Sequence, residues 1–219
     1  MRVAVISDVH GNRVALDAVL DDMPRVAGVL CAGDVVGYGP WPGECIDLVR
    51  REGATAVMGN HDRAVVQDSG FRFNDMAQAG VAYAREVLDD DHFEYLADLP
   101  EERLAAGGRV KIVHGHPDDP DHYTRPHEFS PRLLDDEDAL VMGHTHVQAH
   151  EKYGEGIVMN PGSVGQPRDG DPDAAYALLD LDRMTVEERR VEYDVDEVQA
   201  AVEEAGLPKR IGTRLARGE

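Results

Sequence analysis

Short apolar runs alternate with amphipathic, helix-like segments over the first third of the chain. The apolar runs are VAVIS (residues 3–7), VAGVLCAGD (26–34) and ATAVM (54–58), and between them lie NRVALDAVLDDM (12–23) and GECIDLVRREG (43–53). A strand–helix–strand alternation of this kind predicts a parallel sheet. Because the carboxyl ends of parallel strands meet at one edge of a sheet, we expect polar residues that follow these strands to collect there.

The rest of the chain changes character. Residues 73–100 carry apolar side chains at helical spacing, which predicts one or two packed helices. ERLAAGG followed by RVKIVHGHP predicts a hairpin about Gly107 and Gly108, and ALVMGHTH, IVMNPGS and AAYALLDLD predict further short strands. Residues 194–210 predict a closing amphipathic helix. Residues 116–131 are rich in Pro, Asp and His, and we expect an irregular loop there.

The charge of the chain limits its partners. The formal net charge is −21, and the 219 residues suffice for one domain with its own core, which we expect over residues 1–219. Such a surface repels phosphate backbones, so we expect no binding of a nucleic-acid duplex. It is also typical of organisms that keep molar salt in the cytoplasm. We favour this halophile interpretation over a merely acidic protein because high salt screens the self-repulsion.

The chain starts MRVAVISDVH, without a charged and then apolar leader, and no apolar stretch approaches membrane-spanning length. We therefore expect a cytoplasmic protein that makes no membrane contact. Cys31 and Cys45 lack a C-x-x-C spacing. This favours two buried thiols over a disulfide framework or a thiolate zinc site.

Residue types that bind metal ions occur in five glycine-rich places, each just beyond an apolar run. In order they are Asp8 and His10 in SDVHGN, Asp34 in AGDVVGYGP, Asn60 and His61 in MGNHDR, His114 in VHGHP, and His144 and His146 in GHTH. One such cluster alone is more often a turn, a helix cap or a hydrogen-bonded histidine. Five clusters at corresponding strand ends predict a metal site. Oxygen and imidazole ligands without thiolate suit Mn²⁺, Fe or Zn²⁺, and the set exceeds the coordination number of one ion, so we expect two ions.

The ordered motifs D-x-H, G-D, G-N-H-[DE], H and G-H-x-H resemble those of the calcineurin-like metallophosphoesterase superfamily. Within this set, GDVVGYGPWP and NPGSVGQPRDGDPDAAYALLD (160–180) look like its small prokaryotic phosphodiesterase branch. The resemblance implies an α/β fold, a four-layer αββα sandwich of two mixed β-sheets flanked by helices, with the metals on loops at one edge. Members of this branch are often dimers, which makes a homodimer a possible assembly.

The same resemblance implies a role for each cluster. Asp8, His10 and His146 would bind one divalent ion and Asn60, His114 and His144 the other, with Asp34 between them. A carboxylate suits the bridging position because its two oxygens can hold two cations. Mn²⁺ is the first choice, with Fe, Zn²⁺ or Ni²⁺ as alternatives. A water or hydroxide between the ions would attack the phosphorus, and His61, as a cationic imidazole, would protonate the departing alkoxide.

One position departs from a related pattern. In the protein serine/threonine phosphatases the motif after the bridging aspartate runs G-D-x-x-D-R-G, and its second aspartate orients the acid histidine. Gly37 holds that position in GDVVGYG. Either Asp62 orients His61 instead or no residue does, and a protein-phosphatase assignment is weakened.

Three arginines are candidates for contact with the phosphate, namely Arg13, Arg63 and Arg168, although for each a surface ion pair is an equal alternative. Tyr38 and Trp41 either wall a substrate pocket or pack in the core. The sequence thus predicts a dinuclear metal-dependent phosphoesterase, first a phosphodiesterase acting on a small phosphate ester. The alternatives are a phosphomonoesterase or protein phosphatase-like enzyme, and a non-catalytic scaffold of the same fold.

Overall fold

Residues 1–69 and 73–219, which the computed structural model describes, form ten β-strands and seven α-helices. The strands are β1 (Arg2–Ile6), β2 (Val29–Cys31), β3 (Thr55–Ala56), β4 (Glu102–Ala105), β5 (Val110–Val113), β6 (Ala139–Val141), β7 (Ala149–Lys152), β8 (Ile157–Asn160), β9 (Ala174–Asp180) and β10 (Thr185–Val191). The helices are α1 (Arg13–Asp22), α2 (Pro42–Arg51), α3 (Asn60–Gln67), α4 (Asp75–Val87), α5 (Asp90–Ala97), α6 (Val195–Glu204) and α7 (Arg210–Thr213).

The strands form two mixed sheets of five strands each. The first has the order β10-β9-β1-β2-β3 and the second the order β4-β5-β6-β8-β7. Strands β1, β2 and β3 run parallel to one another, as the alternation of apolar runs predicts, and so do β5, β6 and β8. The remaining strands pair antiparallel, and they include the predicted hairpin of β4 and β5.

Strand β1 shows how the layers form. Its successive side chains point to opposite faces of the sheet. Val3 and Val5 join a core that includes Ile112 of the second sheet, so the two sheets pack face to face. Ala4 and Ile6 join a second core, which helices α1 to α5 cover.

The outer face of the second sheet is covered differently. Leu140 packs against Phe129 and Leu133, which belong to the connection between β5 and β6. That connection contains two one-turn 3-10 helices, Pro126–Glu128 and Pro131–Leu133, inside the predicted irregular loop. The expected α/β architecture, two mixed sheets between helical layers, is confirmed, and its fourth layer consists of these short turns.

The structure differs from the expectations in two places. The sequence does not predict β7 and β10, whose residues AHEK and TVEERRV are largely polar because both strands lie at sheet edges. Helix α6 ends at Glu204 instead of running to residue 210, because Gly206 takes φ +71° and Pro208 follows. Cys31 and Cys45 are buried free thiols, as expected. Within the described residues, the helices are too short or too polar to cross a membrane.

Candidate active site

The loops that follow β1, β2, β3, β5 and β6 meet at one edge of the two sheets. They bring together all the predicted metal ligands, which are Asp8, His10, Asp34, Asn60, His114, His144 and His146, and each of these side chains is buried. Three groups of nearby ligand atoms are present; two of them share Asp34, and one of these two includes His61. The five motifs, which are far apart in the sequence, thus form one compact cluster.

The first part of the cluster lies around Asp8. His146 Nε2 is 3.2 Å from Asp8 Oδ1, and His10 Nε2 is 3.8 Å from the same oxygen. The two Nε2 atoms of His10 and His146 are 3.1 Å apart. Asp8 Oδ2 accepts hydrogen bonds from Ser7 Oγ and the His144 amide, whereas the buried Oδ1 accepts none from the described residues. One carboxylate oxygen and two imidazole nitrogens therefore face the same point.

The second part of the cluster lies around Asp34. His114 Nε2 is 3.3 Å from Asp34 Oδ2 and 3.0 Å from Asn60 Oδ1. His144 offers a further nitrogen to the group of Asp34 and His114. Because Asp34 Oδ2 is also 3.7 Å from His10 Nε2, its carboxylate lies between the two parts of the cluster.

Main-chain carbonyls fix the imidazole rings. The Nδ1 atoms lie within hydrogen-bond distance of carbonyl oxygens, His10 with Val36 at 3.2 Å, His114 with Ala32 at 2.7 Å and His146 with Gln166 at 2.6 Å. A carbonyl can only accept, so Nδ1 carries the proton and Nε2 turns its lone pair inward. His144 is reversed, with Nε2 at 3.2 Å from the Asp121 carbonyl.

Burial and mutual charge shift the protonation of the cluster. Burial raises the pKa of Asp8 and Asp34, but neighbouring imidazoles outweigh it, and both pKa values lie well below the usual range. Burial lowers the pKa of His10, and it lowers that of His144 to about 4. At His114 burial also lowers the pKa, but the Asp34 carboxylate overcomes this and raises it to about 10. The cluster thus holds two ionised carboxylates, and a metal ion bound there would displace the proton that the Asp34 carboxylate keeps on His114.

The backbone of the cluster is strained. Asp8, His10, Asp34, His144 and His146 all adopt positive φ, between 51° and 67°. This left-handed conformation costs a residue other than glycine of the order of 1–3 kcal/mol, and such strain concentrates at functional sites. The loops around the cluster pack tightly against this strained backbone. For example, a Cβ on Gly143 would overlap Ser7 Oγ and lie 2.8 Å from Asp8 Oδ2.

His61 lies beside the cluster. Its ring centroid is 4.8 Å from that of His10, and the ring stacks on Phe73 at 4.5 Å. Its amide donates to Asp34 Oδ1 at 2.7 Å. Nδ1 is buried, without a hydrogen-bond partner among the described residues, and a Cβ on Gly37 would collide with it. Burial lowers the pKa of His61 to about 4.

The contacts of Asp62 favour the alternative in which no residue orients the His61 ring through this carboxylate. Asp62 is fully buried, and its carboxylate accepts three main-chain amides, from Asp34 at 2.8 Å, Gly59 at 3.0 Å and Val36 at 3.1 Å. Both oxygens are therefore committed to the backbone of the loop after β2 and the start of α3. Asp62 holds the main chain around Asp34 and makes no hydrogen bond to the imidazole.

The three candidate arginines lie in different environments. Arg168 donates from Nη2 to Gln166 Oε1 at 2.7 Å and to the Tyr38 hydroxyl at 3.3 Å. Its charge helps lower the pKa of His61, which places it near the site. Arg63 lines a groove that also borders Asn60 and His144, and it forms an ion pair there with Asp121.

Arg13 makes the surface ion pairs that the sequence left as its alternative role. As the first residue of α1, it pairs with Asp17 at 3.1 Å and Glu197 at 3.4 Å and lies over the Trp41 ring. Trp41 therefore packs against a surface ion pair. Tyr38, by contrast, contacts the ring of His10 at 4.9 Å and belongs to the site.

The sequence does not identify several residues that support the site. Ser163 Oγ donates to the Asp8 carbonyl at 2.7 Å, and Asn160 Nδ2 donates to the Gly143 carbonyl at 2.6 Å. The segment NPGS was recognisable, but nothing in it indicates these partners. The contact of the Asp121 carbonyl with His144 could not be predicted either, because every residue has a main-chain carbonyl.

The chain matches known proteins along most of its length. Residues 1–184 match the family described as Calcineurin-like phosphoesterase superfamily domain. A solved metallophosphoesterase from Sphaerobacter thermophilus is 38% identical, with a TM-score of 0.88 and all of both chains covered. An uncharacterized protein of Methanocaldococcus jannaschii is 33% identical over 99% of this chain and 98% of its own. The phosphodiesterase YfcE of Escherichia coli is 28% identical over 85% of this chain and 91% of its own. The chain therefore belongs to the calcineurin-like phosphoesterase superfamily and is a metal-dependent phosphoric ester hydrolase.

Proposed function

We propose that the protein is a dinuclear phosphodiesterase that hydrolyses a small phosphate ester. In this proposal Asp8, His10 and His146 hold one divalent ion, Asn60, His114 and His144 hold the other, and Asp34 is shared. The observation that carries it is the position of the Asp34 carboxylate, whose Oδ2 is 3.7 Å from His10 Nε2 and 3.3 Å from His114 Nε2. A carboxylate between two sets of nitrogen ligands suits a pair of cations.

The donor atoms around Asp8 support bound cations. His10 and His146 turn their Nε2 lone pairs toward each other at 3.1 Å, an arrangement that is unfavourable unless a positive charge lies between them. The buried Asp8 Oδ1 faces the same point and accepts no hydrogen bond from the described residues. A buried carboxylate oxygen without a partner is costly, and a metal ion would satisfy it.

When bound, two divalent ions supply the Lewis acidity that activates a water molecule and offsets charge on the phosphate. His61 supplies the proton: the oxygen of water bonds to the phosphorus while one of its protons passes to solvent, the bond to the leaving oxygen breaks, and that oxygen takes a proton from the imidazole, which solvent later restores. Because Nδ1 lies against Gly37, Nε2 is the nitrogen that delivers it. Burial lowers the pKa of His61 to about 4, and a bound phosphate anion would act in the opposite direction by favouring the charged imidazole.

Two arginines border the proposed substrate site, and Arg168 is the one that we expect on the phosphate. Arg168 contacts the neutral groups Gln166 and Tyr38, which leaves its charge for an anion. Arg63 lines a groove of about 530 Å³ that adjoins Asn60 and His144. A groove of this size has room for an ester group beyond the phosphate, which favours a diester over the alternative, a monoester or phosphoprotein.

We also propose the metal ion, the cellular environment, the domain organisation and the assembly of the enzyme. Mn²⁺ is the expected ion, with Fe, Zn²⁺ or Ni²⁺ as alternatives. The net charge of −21 supports a cytoplasm with molar salt and disfavours a nucleic-acid duplex as substrate. A single domain over residues 1–219 is supported by the packing of Val198 and Ile211 near the chain end against Tyr38. A homodimer rests on the resemblance alone, and the mass of the protein in solution tests it.

The direct test is hydrolysis of bis(p-nitrophenyl) phosphate with added Mn²⁺ in high KCl. We expect turnover, and a panel of cyclic nucleotides, dinucleoside polyphosphates and monoesters then defines the ester class. If no divalent metal supports turnover, the protein is not a phosphodiesterase and the scaffold alternative replaces this proposal.

His61→Ala tests the division of labour within the site. We expect this variant to keep both metals and to lose roughly 10²–10⁴-fold in turnover of esters with poor leaving groups. His150→Ala is the matched control, because His150 pairs with Glu188 away from the cluster. Loss of metal from His61→Ala, measured by elemental analysis, would contradict the role of His61 as proton donor.

A further inference from the structure

The groove beside the candidate metal cluster has room for an ester group, but the proposed chemistry does not say which kind of group it holds. It has a volume of about 530 Å³, and the described residues that line it are Asn60, Arg63, Ala64, Ser69, Phe73, Asp121, Tyr123 and His144. It reaches the cluster through Asn60 and His144. Cavities of a few hundred Å³ typically hold small molecules. Whatever occupies the groove is therefore next to the phosphate that is being cleaved.

Two aromatic rings line the groove, and each stacks on an imidazole of the site. Phe73 lies on His61 with ring centroids 4.5 Å apart and planes at 25°, and Tyr123 lies on His144 at 3.8 Å and 26°. Tyr123 is 46% exposed. An exposed ring held rigidly at a catalytic cluster offers a planar surface to a ligand, since stacking is favourable for any flat aromatic group.

The position of Phe73 connects the groove with proton delivery. In the proposed chemistry His61 protonates the leaving oxygen, so the rest of the leaving group lies near the ring that stacks on His61. Arg168, the proposed phosphate-binding arginine, contacts Tyr38 and Gln166, and Tyr38 contacts the His61 ring as well, with ring centroids 4.7 Å apart. The groove is thus on the leaving-group side of the reaction.

The charge of the groove limits what that group carries. Among its described lining residues the charged side chains are Arg63 and Asp121, and they form an ion pair with each other. Asp121 is also the residue whose carbonyl contacts His144 Nε2, so this pair ties the loop that carries Tyr123 to helix α3. A neutralised pair offers little to a second phosphate, and it favours a neutral group.

On the basis of the proposed phosphodiesterase function, we infer that the groove binds the leaving alcohol and selects one that carries a neutral, planar aromatic ring. Tyr123 and Phe73 are specificity-determining residues in this reading. Hydrolysis breaks the bond between phosphorus and the oxygen of that alcohol, and water supplies the new oxygen on phosphorus. His61 gives its proton to the alcohol, and the proton released by the attacking water, exchanged through solvent, restores it.

The test compares two diesters whose leaving alcohols have similar acidity and differ in the ring. Methyl phenyl phosphate and methyl hexafluoroisopropyl phosphate are suitable, with the Mn²⁺-loaded enzyme in high KCl. We expect kcat/KM to favour the phenyl ester by roughly tenfold, the scale of one stacking interaction. Tyr123→Leu should reduce this ratio toward one, and Tyr123→Phe, the matched control, should preserve it.

The ratio is the informative quantity because a change in metal content or stability alters both esters alike. Phe73→Leu gives a second, independent measurement on the opposite ring. If the wild type hydrolyses both esters equally well, or if Tyr123→Leu and Phe73→Leu keep the full preference, the inference is wrong although the phosphodiesterase proposal stands. If no diester is hydrolysed with any divalent metal, the proposed function itself fails.

Discussion

Replacement of Gly37 by alanine is expected to slow proton delivery by His61. Gly37 has φ +97°, and a Cβ there would lie 2.9 Å from His61 Cγ and closer still to Nδ1. Carbon atoms in contact are about 3.5–4.0 Å apart, so the imidazole must retreat by roughly 1 Å. A misplacement of that size can cost roughly 10²-fold in rate. We therefore expect Gly37→Ala to lose about two orders of magnitude in kcat.

Gly53→Ala is the matched control for this variant. Gly53 also has positive φ, +61°, but no atom lies within 4 Å of a Cβ built there. Both substitutions place an alanine in the left-handed region, which costs about 1–2 kcal/mol of folding free energy. Gly37→Ala carries the clash with His61 in addition to this backbone cost, so it should lose more stability, and a loss of turnover beyond that of Gly53→Ala reports the displaced imidazole.

The assay measures kcat for bis(p-nitrophenyl) phosphate and for methyl phenyl phosphate, together with metal content and melting temperature. A phenolate leaves less easily than a nitrophenolate and needs its proton more, so Gly37→Ala should be impaired more strongly on the phenyl ester. An equal loss on both esters, or turnover no lower than that of Gly53→Ala, would refute the assignment of His61 as the acid.

Three further predictions concern the same site and the surface. Asp62→Asn should lower the free energy of unfolding by about 1–3 kcal/mol, because at least one of the buried amides it binds loses its acceptor; thermal denaturation measures this, and an unchanged melting temperature argues against the backbone role. Arg168→Ala should reduce kcat/KM by roughly 10–100-fold, whereas Arg13→Ala, which removes only surface ion pairs, should not; equal effects would restore Arg13 as a candidate. The melting temperature should rise with KCl, because salt screens the repulsion within a chain of net charge −21, and a fold indifferent to salt removes the argument for a halophile.

The fold was predictable where one periodicity dominated. The strands β1, β2 and β3 are short β-branched runs separated by helical segments, and their parallel pairing follows from that alternation. The same pattern does not predict β7 and β10, because each lies at the edge of its sheet, where polar residues suffice. Their pairing is decided by the strand beside them, β8 and β9, which no local pattern reveals.

The site was predictable in residue type and less so in role. A ligand cluster at a strand end is visible in sequence because aspartate, histidine and glycine recur there. The role of Asp62 is not visible, because the three amides that it accepts come from backbone that any residue supplies. Arg13 misleads for the converse reason. It stands three residues after His10, yet α1 begins at Arg13 and carries its side chain to Asp17 and Glu197.

The glycines of these loops act through space as well as through turn geometry. Gly59 has φ −86°, which any residue can adopt, so conformational freedom does not require a glycine there. A Cβ at Gly59, however, would overlap Asp34 Oδ1 and lie 2.7 Å from Asp34 Cγ. The same carboxylate accepts the amide of His61, the residue two positions on. The segment GNHD therefore makes room for the shared carboxylate with its glycine, offers an oxygen to one ion with Asn60, and presents the proposed acid and its backbone support with His61 and Asp62. A side chain at Gly59 would displace the Asp34 carboxylate from both parts of the cluster at once. Each of the four residues after the short strand β3 and its connecting turn therefore has its own requirement, which another residue type would not meet.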